Sequence, residues 1–125
     1  MINKDAVIFF ENKPEELALY EEFEGKIQNV GKAEIKTGKT QITFSNRHVF
    51  ACVSMMRLRK KKDMPKHYIV ITFGLGRHEP SDRIDVATEP YPNRWTHHIL
   101  IDKAEDMDDE LMGWIREAYD FSASK

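Results

Sequence analysis

The stretch Glu89-Pro90-Tyr91-Pro92-Asn93-Arg94-Trp95-Thr96-His97-His98 gathers a carboxylate, a guanidinium, two aromatic rings and two imidazoles around one turn. If the residues after Asn93 run as a strand, Trp95 and His97 share a face with Ile99 and Ile101, whereas Thr96 and His98 lie with Leu100. The two histidines then point apart and cannot grip one metal ion, and no HxH or HExxH spacing replaces them. Imidazole titrates near neutral pH, so His97 is a candidate general base at a pocket rim; the commoner role for such a residue is a core histidine satisfied by a backbone carbonyl. Arg94 and Glu89 flank the corner and either clamp an anionic ligand or pair with each other.

A second group is the basic run Arg57, Arg59, Lys60, Lys61, Lys62 and Lys66, read as the tip of a hairpin. Such a cluster contacts phosphates in a nucleic-acid binder, or simply keeps a turn solvated; aromatic residues that would stack bases are missing from it. Arg47, with Lys39, Ser45 and Asn46, forms a third group near the first strand pair, joined by Arg77 and His78. Gly74-Leu75-Gly76 lacks the GKS/GKT ending and following helix of a phosphate loop. There is no nucleophile elbow and no recognisable Ser-His-Asp order. The acids from Asp106 to Glu110 are explained by helix capping, so no metal site and no cofactor is expected.

These residues need a scaffold, and hydropathy supplies one. Pro14 to Val30 reads as an amphipathic helix with Leu17, Tyr20, Phe23, Ile27 and Val30 on one side and Gly31 at its cap. Ahead of it, Ala6 to Phe10 is a short helical turn or an arm that packs its phenylalanines on the domain. The period then changes to two: Thr40 to Ser45, Val49 to Arg57, His67 to Leu75, Arg83 to Glu89 and Trp95 to Ile101 read as five strands, with Ala33 to Thr37 a sixth or a lead-in. A second amphipathic helix from Asp106 to Phe121 closes the chain. The expected architecture is α+β: a five- or six-stranded antiparallel meander whose N-terminal and C-terminal helices pack on one face, a two-layer sandwich. The opposite face reads as apolar at Val70, Phe50 and Cys52, which makes it a ligand groove, a homodimer interface or a surface covered by the N-terminal arm.

One domain over residues 1–125 fits the length, and 19 basic against 21 acidic residues give a net charge of −2. That balance excludes a globally positive nucleic-acid binder. One cysteine, Cys52, excludes an internal disulfide. The apolar run Ala6 to Phe10, within the stretch Met1 to Phe10, is too short for a signal peptide, and no stretch approaches a membrane span, so a cytoplasmic, reducing setting is expected.

The segments NKPEELALYEEFEGKI, KTQITFSNR, HYIVITFGL, EPYPNRWTHHILI and DDELMGWIREAYDFS together resemble a bacterial domain family of unknown function, found alone and attached to proteins labelled predicted transport proteins. The resemblance implies a frataxin-like or YjbR-like α+β fold. Larger relatives with nuclease-like segments imply a nucleic-acid-associated role. The leading expectation is a non-catalytic module that holds a small anionic ligand or nucleic acid through Arg47, Arg77, Glu89, Tyr91, Arg94, Trp95 and His97. The competing readings are a small hydrolase with His97 as general base, and a homodimer through the second sheet face.

Overall fold

Pro14 opens the first long helix where its missing N–H is no loss, and Glu15 and Glu16 meet the positive end of the helix dipole. This helix, α2 (Pro14–Ile27), buries Leu19, Tyr20, Phe23 and Ile27. It stops short of Val30 because residues 28–30 tighten into a turn whose N–H groups bond back to Lys26 and Ile27. Gly31 is not a left-handed cap: its φ is not positive, but a Cβ there would come within 2.6 Å of the Tyr119 ring. Glycine is required there for close approach of the last helix. Ahead of α2, the short helix α1 (Lys4–Phe9) is capped by the Asn3 side chain and is followed by Phe10, whose ring joins Ala6 in the core. The structure, a computed structural model, describes residues 3–125; the first two residues of the Met1 to Phe10 stretch lie outside it.

Six strands follow: β1 (Glu34–Thr37), β2 (Gln41–Ser45), β3 (Val49–Ser54), β4 (Ile69–Leu75), β5 (Ile84–Tyr91) and β6 (Arg94–Ile101). Every neighbouring pair is antiparallel, in the order β1-β2-β3-β4-β6-β5. The first four strands form the expected meander, but β6 lies between β4 and β5. Strand β5 therefore runs parallel to β4 one place away, and the connection 76–83 must travel back along the sheet. From the Leu75–Trp95 pair to the Ile84–Ile99 pair is four residues of β6, roughly 13 Å, which eight extended residues span easily without a helix.

Phe44 on β2 meets the rings of Tyr20 and Phe23 from α2, and Phe73 on β4 stacks on Trp114 from α3 (Asp109–Ser124). The register Phe44–Ala51–Phe73 puts these side chains on one face, so both long helices cover the same side. Asp108 caps α3 by accepting the Leu111 N–H at 3.0 Å, and the helix runs past Phe121 to Ser124.

The second face is mixed rather than apolar throughout, with Val70 and Leu100 paired on it beside a polar row. Ile69, Ile71 and Phe73 all point into the helix layer, while the register row on the other side is Thr43, Cys52, Thr72, His98 and Val86. The N-terminal arm packs with α2 (Phe10 on Tyr20), not on this face. The irregular connection after β3 reaches across instead: Arg59 forms a two-pronged ion pair with Asp85 on β5, at 2.5 and 3.0 Å. Strand β3 thus ends at Ser54 and β4 begins at Ile69. The basic run lies in this connection, whose only regular element is a 3-10 turn at Lys61–Asp63, rather than at a hairpin tip.

Candidate functional site

The connection 76–83 acts as a strap over β6, and it takes up several of the residues that sequence put at a binding rim. Arg77 donates to both carboxylate oxygens of Glu117 at 2.8 Å and to Glu79 at 3.0 Å. Arg83 reaches Asp108, Glu110 and the Asp106 carbonyl, with its guanidinium over the Trp114 ring. The Trp114 indole N–H donates to Glu79 at 3.0 Å. Beneath the strap His97 is fully buried; its Nε2 accepts the Glu79 backbone N–H at 3.0 Å and its ring lies parallel to Phe73. The lone pair a general base would use is therefore occupied. Nδ1 carries the proton, faces the Phe73 backbone and meets no partner at hydrogen-bond geometry. Burial depresses the pKa of this imidazole.

At the β5–β6 turn Asn93 adopts φ 59°, and Glu89 accepts its backbone N–H at 3.0 Å. Glu89 thus closes the turn and does not pair with Arg94. Among the described residues Arg94 has no ion-pair partner. Arg47 is exposed in the β2–β3 turn, away from the corner; the Asn46 beside it anchors that turn, donating to the Tyr119 carbonyl and accepting from Ser122. Of the basic run, Arg59 is held by Asp85, while Arg57, Lys60, Lys61, Lys62 and Lys66 are exposed.

What the fold does bring together is a hollow of about 270 Å³ where β3 begins, β4 ends and β6 begins. Cys52, Thr72 and Thr96 contribute to its sheet side; Tyr91, Trp95 and Phe121 supply aromatic wall; Arg94 and Lys125 bring two cations. The anchored β2–β3 turn fixes the last turn of α3, and so sets where Phe121 and Lys125 stand. The Lys125 ammonium lies 4.7 Å from the Phe121 ring centre. Its pKa is lowered, first by burial and then by repulsion from Arg94.

On the same sheet face Thr72 Oγ1 and His98 Nδ1 are hydrogen-bonded at 2.7 Å, and Cys52 Sγ sits 3.6 Å from Gln41 Oε1 beside the Thr72 hydroxyl. Burial pushes the Cys52 thiol up and the His98 imidazole down, so both stay neutral at pH 7. A neutral thiol is a poor nucleophile. The arrangement suits binding: polar groups on one side, aromatic walls, positive charge at the side of the hollow.

Of the residues singled out in the sequence, the hollow unites Tyr91, Arg94 and Trp95; Arg77, Glu89 and His97 are engaged elsewhere, and Arg47 is exposed away from it. Cys52, Thr72, Thr96, Phe121 and Lys125 were missed. The register row Cys52–Thr72 was available from strand alternation once β3 and β4 are paired, whereas Phe121 and Lys125 depend on where α3 ends.

Over residues 7–122 the chain matches the family described as "Domain of unknown function (DUF5655)", and it belongs to that family. No curated protein and no solved structure matches it. Among the described residues no helix is long and apolar enough to cross a membrane.

Proposed function

We propose that this DUF5655 domain is a non-catalytic binding module that holds a small anionic ligand in the hollow beside Arg94, Lys125 and Trp95. The observation that carries the reading is a pair of neighbouring cations, neither in an ion pair among the described residues, beside an aromatic-walled hollow. Elsewhere Arg59, Arg77 and Arg83 are all matched by carboxylates. A volume of about 270 Å³ lies at the low end of ligand pockets, which favours a phosphate ester or carboxylate of modest size over a polymer. Aromatic walls favour a planar portion on that ligand, and the neutral Cys52 and His98 support binding over turnover.

A frataxin-like or YjbR-like grouping belongs to the same reading, supported by the order of helix, antiparallel strands and helix. So does a bacterial, cytoplasmic setting, supported by the sequence resemblance and the single free cysteine.

The test is an NMR titration with AMP and, separately, inorganic phosphate. Expected are shifts centred on the Trp95 indole, Arg94, Thr96 and Lys125, and affinity for AMP at least about tenfold weaker in Arg94→Ala, from loss of one charge-assisted hydrogen bond. Shifts scattered over the surface, or an Arg94→Ala variant that binds like the parent, would overturn the reading.

Nucleic acid remains the second reading because Lys60, Lys61, Lys62 and Lys66 are exposed on one connection without ion-pair partners among the described residues. Binding to a single-stranded oligonucleotide that weakens steeply with salt, and is lost when these lysines become glutamine, is its signature. The homodimer reading has less support, since the open face carries Thr43, Cys52, Thr72 and His98 rather than a continuous apolar surface.

A further inference from the structure

At the opposite end of the sheet the segment leading into β4 brings His67 against the first turn of α2. His67 Nδ1 lies 3.2 Å from Glu16 Oε2 and 3.8 Å from Glu15 Oε2. One donor atom from each of the three residues falls within 4.8 Å of the others.

Glu16 is the unusual member. Its side chain is only 7% exposed, and its second oxygen, Oε1, is buried with no hydrogen-bond partner. Helix dipole and solvation explain Glu15, which is half exposed; they do not explain a carboxylate sunk beside an imidazole with one oxygen unpaired. Leaving such an atom unsatisfied costs about 1–3 kcal/mol, and more when the group is charged. An ion pair with His67 uses one oxygen and leaves the other as it is.

We infer that Glu15, Glu16 and His67 form a binding site for a divalent transition-metal ion, of which Zn²⁺ is the representative. The spacing fits. Ligands about 2.0–2.1 Å from a tetrahedral Zn²⁺ stand roughly 3.3 Å from one another, close to the 3.2 and 3.8 Å found. One imidazole with two carboxylates is a borderline donor set that favours Zn²⁺ over the all-oxygen preference of Mg²⁺ and Ca²⁺. A bound ion held by one oxygen of Glu16 offsets the charge of the whole buried carboxylate, which the imidazole alone does not.

The site also has an outlet. Glu15 and His67 line a hollow of about 440 Å³ between α2 and the β6–α3 connection, whose lining includes Glu22, Asp102 and Lys103. Three protein ligands leave the fourth position of a tetrahedral ion facing that hollow, open to water or an exogenous donor. Sequence spacing gave no hint of this group, because Glu16 and His67 are 51 residues apart.

The test uses the full chain stripped with chelator and titrated with zinc chloride by calorimetry, with thermal unfolding followed in parallel. Expected is 1:1 binding at micromolar or tighter Kd and a rise in Tm. Both fall in Glu16→Gln and His67→Ala, with affinity at least about tenfold weaker in each. Cys52→Ser binds like the parent, and Co²⁺ gives visible absorption bands that His67→Ala abolishes. Glu16→Gln keeps the side-chain shape, and its Tm without metal establishes that it is folded. Zinc binding that survives both Glu16→Gln and His67→Ala, zinc that fails to raise Tm in the parent, or an equal response to Mg²⁺ would each overturn the assignment.

Discussion

The strap over His97 and the hollow beside Arg94 use the same residue types and do opposite things with them. Under the strap the cations and the His97 lone pair are matched: Arg77 has Glu117 and Glu79, Arg83 has Asp108 and Glu110, and His97 Nε2 has the Glu79 N–H. At the hollow, Arg94 and Lys125 line one space with aromatic rings, and neither has an ion-pair partner among the described residues. An arginine, a histidine and a tryptophan therefore say little about function by themselves. Unspent hydrogen-bonding and charge capacity is the better guide, and three residues separate the two regimes along β6.

The comparison between the two sides of β4 is broken first by truncation. Phe73→Ala removes a fully covered ring that touches His97 and Trp114, and is expected to cost about 3–5 kcal/mol. Thr72→Ala, one residue away on the open face, removes a hydroxyl bonded to His98 and should cost about 1 kcal/mol. Urea unfolding of the two variants checks this; equal losses would mean that the open face is packed as tightly as the covered one.

A smaller effect sharpens the contrast between strap and hollow. Glu79→Ala removes the acceptor of the Trp114 indole and one partner of Arg77, and should destabilise by about 1–2 kcal/mol. The exposed ion pairs themselves add less than about 1 kcal/mol each. Arg94→Ala should leave stability within about 0.5 kcal/mol of the parent, because nothing in the fold leans on it. A large loss in Arg94→Ala would move that residue into the structural group.

The smallest effect is the pH dependence. Burial lowers His97 and His98 below the ordinary 6.5, so the unfolded chain takes up protons where the folded chain does not. The stability this confers is complete above 6.5 and declines as pH falls from there toward the depressed folded values. The urea midpoint should drop between pH 8 and pH 5.5, and His98→Gln should remove part of that drop. A midpoint that rises on acidification would contradict both burials.

Much of the scaffold was legible in the sequence because each element repeats its signal. The 3.6-residue period from Leu17 to Ile27 and the alternation from Ile69 to Leu75 survive errors of a residue or two: the helix buries Leu19 more fully than Leu17 without losing its face. Strand order was not legible, because the place of β6 depends on an extended strap whose eight residues carry no periodic pattern. The second face was only partly legible: Val70 does lie on it, one register row from Cys52 and Thr72 and between Ser54 and Leu100, whereas the Phe50 ring packs on Tyr119. At the proposed site, Tyr91, Arg94 and Trp95 are neighbours in the chain and stand out by local clustering. Phe121 and Lys125 join them only through the third dimension, as do Glu16 and His67.

The two outer strands have a consequence for how the molecule meets others. Strand β1 is four residues long with Glu34 and Lys36 in it, and β5 is broken by two register shifts and carries Pro90 near its end. Neither border offers a straight row of free N–H and C=O groups on which another chain could extend the sheet. Growth by strand addition, the usual route from a small sheet to a fibre, is blunted at both margins. Association with a partner thus falls to side chains rather than to the backbone.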